Sequence, residues 1–189
     1  MKFVIEHLEL KVSAWVKLEY SEISRIVGKS NLIFTNVKTK NLFLEGLGAV
    51  RKESITSLQF PKMIVLDPAA KQELTPADCT HYDYLVFGGI LGDYPPRART
   101  REELTSKLPA DVVTRHLGPL QMSTDTAVRV AKMICDGKKL SEIPFVDNIS
   151  IELGEYECVG LPYRYVRGSD GEPVFAKGLV QHLKKKRTF

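Results

Sequence analysis

The chain has 189 residues, 43% hydrophobic and 26% charged, with a formal net charge of +4; this is ordinary globular usage and excludes a collagen-like, disordered or disulfide-scaffold protein. A single domain over 1–189 is expected, because a chain of this length buries about 70% of the surface its unfolded form exposes. No apolar run approaches the roughly 18–20 residues of a membrane span, and Glu6 and Glu9 interrupt the N-terminus where a secretory leader would be apolar, so a cytoplasmic protein is expected.

In chain order, short β-branched or aromatic runs predict strands at 2–7, 31–35, 62–66, 82–87 and 111–116. Between the first two, Trp15, Leu18, Ile23, Ile26 and Val27 recur at helical spacing and stop at Gly28, predicting a helix over 13–27. Thr100 followed by Glu103 has the form of a capping box, predicting a short helix from Arg101 that ends before Pro109. A longer helix follows Met122: Ser123 is a good N-cap, Asp125 complements the positive end, and Ala127, Val130, Ala131 and Ile134 make one apolar stripe. Gly137 with Lys138 and Lys139 closes it. Residues 148–153 and 157–166 alternate apolar and polar, as an antiparallel hairpin does, with a turn at 169–171 and a final helix over 177–186. Strands alternating with helices imply an α/β fold, a mostly parallel sheet with helices on both faces, plus the C-terminal β-hairpin.

Cys79, Cys135 and Cys158 are odd in number, far apart and without Cys-x-x-Cys spacing, so they are expected as reduced thiols rather than a disulfide framework or zinc site. The four histidines show no i, i+4 pair, and no metal is expected. The basic run 184–187 fits a solvated tail foremost and a nucleic-acid contact second.

Two glycine-bearing loops follow predicted strands, where open α/β sheets place their ligands. The first, 87–97, contains Gly88, Gly89 and Gly92, which let main-chain groups approach a ligand, with Pro95 and Pro96 stiffening the exit. It lacks both the Gly-x-Gly-x-x-Gly pattern and a phosphate-loop lysine. Taken alone it suits an ordinary turn as well as a ligand site. The second, 115–124, suits a plain turn with core leucines equally well.

Together, GGILGDYPPRART (88–100) and LGPLQMSTDTAV (117–128) resemble the archaeal and eukaryotic branch of the SPOUT methyltransferases, which includes a protein arginine methyltransferase of a small-subunit ribosomal protein. The likeness extends nearly over the full length, although only these loops are distinctive. It implies a C-terminal trefoil knot, which neither composition nor periodicity would suggest. It also implies S-adenosylmethionine as the only cofactor, leaving as S-adenosylhomocysteine. Carried over residue by residue, Leu85, Phe87, Gly88, Gly89 and Gly92 would line one side of the cofactor. His116, Leu117, Gly118, Leu120, Met122, Ser123 and Thr124 would line the other, with Ala127 keeping the helix close.

Asp93, directly after the third glycine, is the catalytic candidate: its carboxylate would orient an arginine nitrogen or take a proton from a base. A turn-stabilising role is its alternative. Arg97, and Arg99 beyond it, would grip an anionic group through forked donors, or else be solvated. The expected function is methylation of an arginine in a ribosomal protein. RNA methylation is the second reading, and a non-catalytic ribosome- or RNA-associated binding protein the third. The resemblance leaves monomer and homodimer open, and no membrane partner is expected.

Overall fold

The computed structural model describes residues 1–58, 60–92, 95, 97–154 and 157–185. Six strands, β1 (Lys2–His7), β2 (Leu32–Thr35), β3 (Ala49–Val50), β4 (Met63–Leu66), β5 (Tyr84–Gly89) and β6 (Val113–Arg115), form one sheet. Their spatial order is β3-β2-β1-β5-β4-β6, and every pairing is parallel. The helices are α1 (Ala14–Val27), α2 (Leu42–Glu45), α3 (Asp78–His81), α4 (Arg99–Glu103), α5 (Thr124–Cys135) and α6 (Leu179–Lys185).

The central strands read as unbroken apolar triplets, Phe3-Val4-Ile5, Ile64-Val65-Leu66 and Leu85-Val86-Phe87, because a parallel sheet is covered on both faces. Phe3, Ile5, Ile64, Leu66, Leu85 and Phe87 pack against α1 and α5. Val4, Val65 and Val86 point the other way, towards Ile55 and Leu104. The first face therefore carries two long helices, and the second carries α4, its continuation and the turn around Ile55.

Helix α1 begins where expected. The Ser13 hydroxyl accepts from the Val16 amide at 3.3 Å, and Gly28, at φ 78°, ends the helix. Its buried stripe is Val16, Tyr20, Ile23 and Val27, each side chain worth about 1.5–3 kcal/mol of burial where it is fully apolar.

The C-terminal part builds a second cluster. Strands β8 (Ile149–Gly154) and β9 (Glu157–Leu161) form the expected antiparallel hairpin. Pro162 interrupts the predicted second strand, and its remainder, β10 (Tyr165–Val166), pairs instead with β7 (Phe145–Val146). Ile149, Ile151, Leu161, Tyr165, Leu179 and Leu183 pack together here, with Trp15 and Leu18 of α1 against them.

Two expectations need correction. The capping box at Thr100 does not form, since α4 already starts at Arg99, after Ala98, without a side-chain cap. An Arg99–Glu103 ion pair at i, i+4 spacing spans the helix instead. The cysteines are not all free either: Cys79 of α3 is joined to Cys135 of α5, with Cα atoms 5.2 Å apart, and only Cys158 is a free thiol. The pair was hidden by a separation of 56 residues and by the absence of any predicted element around Cys79.

Candidate active site

Leu66 is in register with both Phe87 and Arg115, so the residues that follow, Asp67, Gly88 and His116, stand at one level at the C-terminal ends of their strands. There the chain opens a cleft of about 130 Å³. Its apolar wall is Leu66, Phe87, Ile90, Leu117, Leu120, Met122 and Ala127; its polar margin is Asp67, Arg97, Arg99, Thr100, Gln121 and Thr124.

Of the residues expected to hold a cofactor, Phe87, Gly88, Gly92, Leu117, Gly118, Leu120, Met122, Thr124 and Ala127 line this cleft, as does Arg97. The two loops meet across it. Four others stand behind the wall. Leu85 is wholly buried in the core. A Cβ on Gly89 would lie 2.3 Å from the Tyr20 hydroxyl and 2.8 Å from Ile5, so this glycine admits α1 to the sheet. Ser123 is buried at the start of α5 and bonds to the Thr126 hydroxyl at 2.9 Å rather than to an amide. His116 braces a turn: its Nδ1 accepts from the Gly118 amide at 3.0 Å, which places its ring proton on Nε2 when neutral. Gly118 itself sits at φ 98°. Asp93 lies outside the described residues, as do Lys186 and Arg187 of the basic run.

Sequence reasoning missed Leu66, Asp67, Pro68, Ile90, Thr100 and Gln121. The first three are the end of β4 and its following turn, whose place in the site comes only from β4 lying between β5 and β6. A rule that ligands sit at strand C-termini would have flagged them, since β4 was predicted.

The loop after β5 is tethered from both sides. Glu9 Oε1 accepts from the Leu91 amide at 3.0 Å and from Arg99 Nη1 at 3.1 Å, while Arg99 Nε donates to Glu103 at 2.6 Å. Glu103 first, and Glu9 with it, hold the Arg99 guanidinium above its already high ordinary pKa, so its charge is compensated within the protein. Arg97 is exposed, and no ion pair to it occurs among the described residues. At the lip, the Tyr163 hydroxyl donates to the Gly92 carbonyl at 2.9 Å.

Behind Thr124 lies a buried acidic network joining α1 to α5. Glu19 accepts from Trp15 Nε1 at 2.8 Å, and burial, reinforced by the Asp125 charge, pushes its carboxyl up to about 8. Asp125 is also pushed up, chiefly by burial, with the Ser123 hydroxyl acting in the opposite direction. Glu22 is compensated by Arg129 and Arg25. His7, bonded to the Tyr20 hydroxyl at 3.0 Å, is held below its ordinary value by burial. Among the described residues no cluster could hold a metal ion, and no helix is long and apolar enough to cross a membrane.

The parallel sheet with its strand-end cleft is a SPOUT-type methyltransferase fold: dual-specific Trm10 from Thermococcus kodakaraensis, 18% identical, matches at a TM-score of 0.55 over 75% of this chain and 95% of its own. Within that class the chain belongs to the SFM1-like family of protein arginine N-methyltransferases, whose model matches residues 2–188. Protein arginine N-methyltransferase SFM1 of Saccharomyces cerevisiae is 37% identical over 203 residues, covering 98% of this chain and 95% of the relative. Crystal structures of the yeast enzyme with S-adenosylmethionine and with S-adenosylhomocysteine both match at a TM-score of 0.88. The first covers 98% of this chain and 90% of that one, the second 97% and 94%.

Proposed function

We propose that this chain transfers the methyl group of S-adenosylmethionine to an arginine of a ribosomal protein in the cytoplasm, as one domain over 1–189. The observation that carries the reading is the shared cleft, in which both glycine loops contribute to one set of walls at the strand ends. Its chemistry suits the donor. The apolar residues Phe87, Leu117, Leu120, Met122 and Ala127 offer a slot for the adenine, and Gly88, Gly92 and Gly118 leave main-chain groups bare beside it. Arg97, which no ion pair among the described residues compensates, takes the carboxylate of the methionine moiety or an acidic patch of the substrate. Leu85, Gly89, His116 and Ser123 shape the walls from behind.

When bound, the donor supplies a methyl group activated on a sulfonium. The protein has to hold the acceptor nitrogen roughly 3–3.5 Å from that carbon and in line with the breaking bond. It must also handle one proton, because a guanidinium that gains a methyl group gives up an N–H proton. Asp93 fills this role, since a carboxylate accepting from the other N–H groups fixes the nitrogen that attacks.

We also infer the knot of the family fold, with the segment after β6 threaded beneath the 67–81 connection. Supporting it, His116 donates its amide to the Gln72 carbonyl at 2.9 Å and accepts from the Leu74 amide at 3.0 Å. These bonds hold the two segments side by side on the way to α5.

Titration calorimetry should give micromolar binding of S-adenosylmethionine. Incubation with radiolabelled donor and ribosomes from cells lacking the protein should place label in the protein fraction as methylarginine. Label in RNA alone moves the acceptor from arginine to a base, and label in neither fraction overturns the enzyme. Asp93→Ala should keep donor affinity and lower transfer by about 10²–10⁴-fold, the usual contribution of proton handling.

A further inference from the structure

Asp67 is 4% exposed, yet it forms part of the cleft wall between Leu66 and Pro68. Its conformation is set before any ligand arrives. The Asp67 amide donates to the Arg115 carbonyl at 2.9 Å, its carbonyl accepts from Ala70 at 3.0 Å, and its Oδ1 accepts from the Ala69 amide at 2.8 Å. That leaves Oδ2, to which no group among the described residues bonds. The neighbouring cation is engaged elsewhere: Arg115 faces Asp78, with Nη2 2.9 Å from Oδ1. With one oxygen pinned and the other open to the cleft, the carboxylate has an acceptor to offer a ligand.

The composition of the cleft says which donor. Asp67 follows the apolar Leu66 at the end of β4 and shares the cleft wall with Leu117, whereas the cationic Arg97 and Arg99 come from the connection between β5 and β6. An adenosine whose base enters the apolar slot carries its sugar hydroxyls next to it. A carboxylate suits such a diol because it only accepts, and each hydroxyl can donate to it.

We propose that Asp67 is the sugar-recognition residue of the site, accepting through Oδ2 from the ribose hydroxyls of the methyl donor. This rests on the donor reading above and adds to it the selection of a ribonucleoside over a deoxyribonucleoside. Arg97 then addresses the carboxylate of the methionine moiety, so the two ends of the ligand are read by groups of opposite charge.

The test is calorimetry with S-adenosylhomocysteine, its 2′-deoxy and 3′-deoxy analogues, and 5′-methylthioadenosine, on wild type and Asp67→Asn. Asn retains an oxygen for the Ala69 amide, so the turn should survive, and a thermal melt checks that it does. We expect Asp67→Asn to weaken S-adenosylhomocysteine roughly ten- to hundredfold, the range for hydrogen bonds to a charged acceptor. Methylthioadenosine, which lacks the amino acid, should lose the same factor. At least one deoxy analogue should bind both proteins alike, and weakly. If the substitution weakens the deoxy ligands as much as the parent, Asp67 does not read the sugar. If methylthioadenosine is spared, Asp67 faces the donor's ammonium group, and the assignment also fails. Wild-type protein that binds none of these ligands removes the donor reading itself, a result distinct from wild-type binding with an indifferent Asp67.

Discussion

Gly89, the last residue of β5, and Gly92, three residues further in the following loop, lack side chains for different reasons. At Gly89 a methyl group would meet the Tyr20 hydroxyl, Ile5 and, at 3.0 Å, the Glu6 carbonyl. Tyr20 is fully buried and bonded to His7, so none of these can retreat. Gly89→Ala should therefore destabilise the fold by about 1–3 kcal/mol, as overpacking of a core does, read as a lower urea midpoint. At Gly92 the nearest atoms are Tyr163 Cε1 at 2.5 Å and Gln121 Nε2 at 2.8 Å, both in side chains at the cleft lip. Gly92→Ala should move that lip and leave the core alone. Donor affinity should fall by about tenfold, or roughly 1.4 kcal/mol, with the urea midpoint nearly unchanged. Equal loss of stability in the two variants would contradict this division.

At the scale of elements, the contact between α1 and α5 stores acids where water does not reach. Glu19 faces Trp15 on its own helix, Thr124 and Asp125 on α5, and the buried Tyr165 of β10, while Glu22 and Arg129 form the adjoining pair. Folding raises the Glu19 carboxyl from an ordinary 4.5 to about 8. Between these values the folded state binds more protons than the unfolded one, so stability falls as pH rises through that window. Glu19→Gln keeps an acceptor for the Trp15 indole and removes the ionisation. Melting curves from pH 5 to 8 should fall less steeply for this variant, which should exceed wild type at pH 8 by about 2–4 °C per kcal/mol recovered. Parallel curves would mean that Glu19 ionises without cost. None of this was legible in the sequence, where Glu19 and Glu22 look like the solvent side of an amphipathic helix; only the approach of α5 buries them. By contrast β1, α1 and α5 could be read because their signals are local: an apolar triplet, a serine at the cap, a glycine at the stop. The Thr100 capping box failed through a distant partner, since Glu9 draws Arg99 into the first turn of α4. The cleft was half legible. Its two glycine loops carry a recognisable pattern, but the Asp67 turn joins them only through strand order.

For the molecule as a whole, the connection carrying α3 must stay pressed against the segment that leads from β6 into α5, since both bound one side of the cleft. Besides the main-chain bonds of His116 to Gln72 and Leu74, two side-chain links hold it there, the Asp78–Arg115 ion pair at 2.9 Å and the Cys79–Cys135 bridge. Burial alone would raise the Asp78 carboxyl, but Arg115 and the Thr75 groups outweigh it and hold that carboxyl below the usual range. The bridge joins residues 56 apart, and closing such a loop in the unfolded chain is worth about 4 kcal/mol on the chain-entropy account. Reduction should therefore lower the thermal midpoint while leaving the sheet in place. A Cys79→Ser, Cys135→Ser variant should melt at the reduced temperature and be indifferent to reductant. Thiol titration of the denatured protein should count one cysteine before reduction, Cys158, and three after it. Under reducing conditions the bridge opens, and the Asp78–Arg115 pair is left as the side-chain link beside the main-chain bonds of His116. Arg115→Ala should then weaken donor binding more in reductant than without it, because Asp67 lies at the start of the same connection and depends on its being held. An Arg115→Ala effect identical in both conditions would show that the two links act on separate parts of the fold.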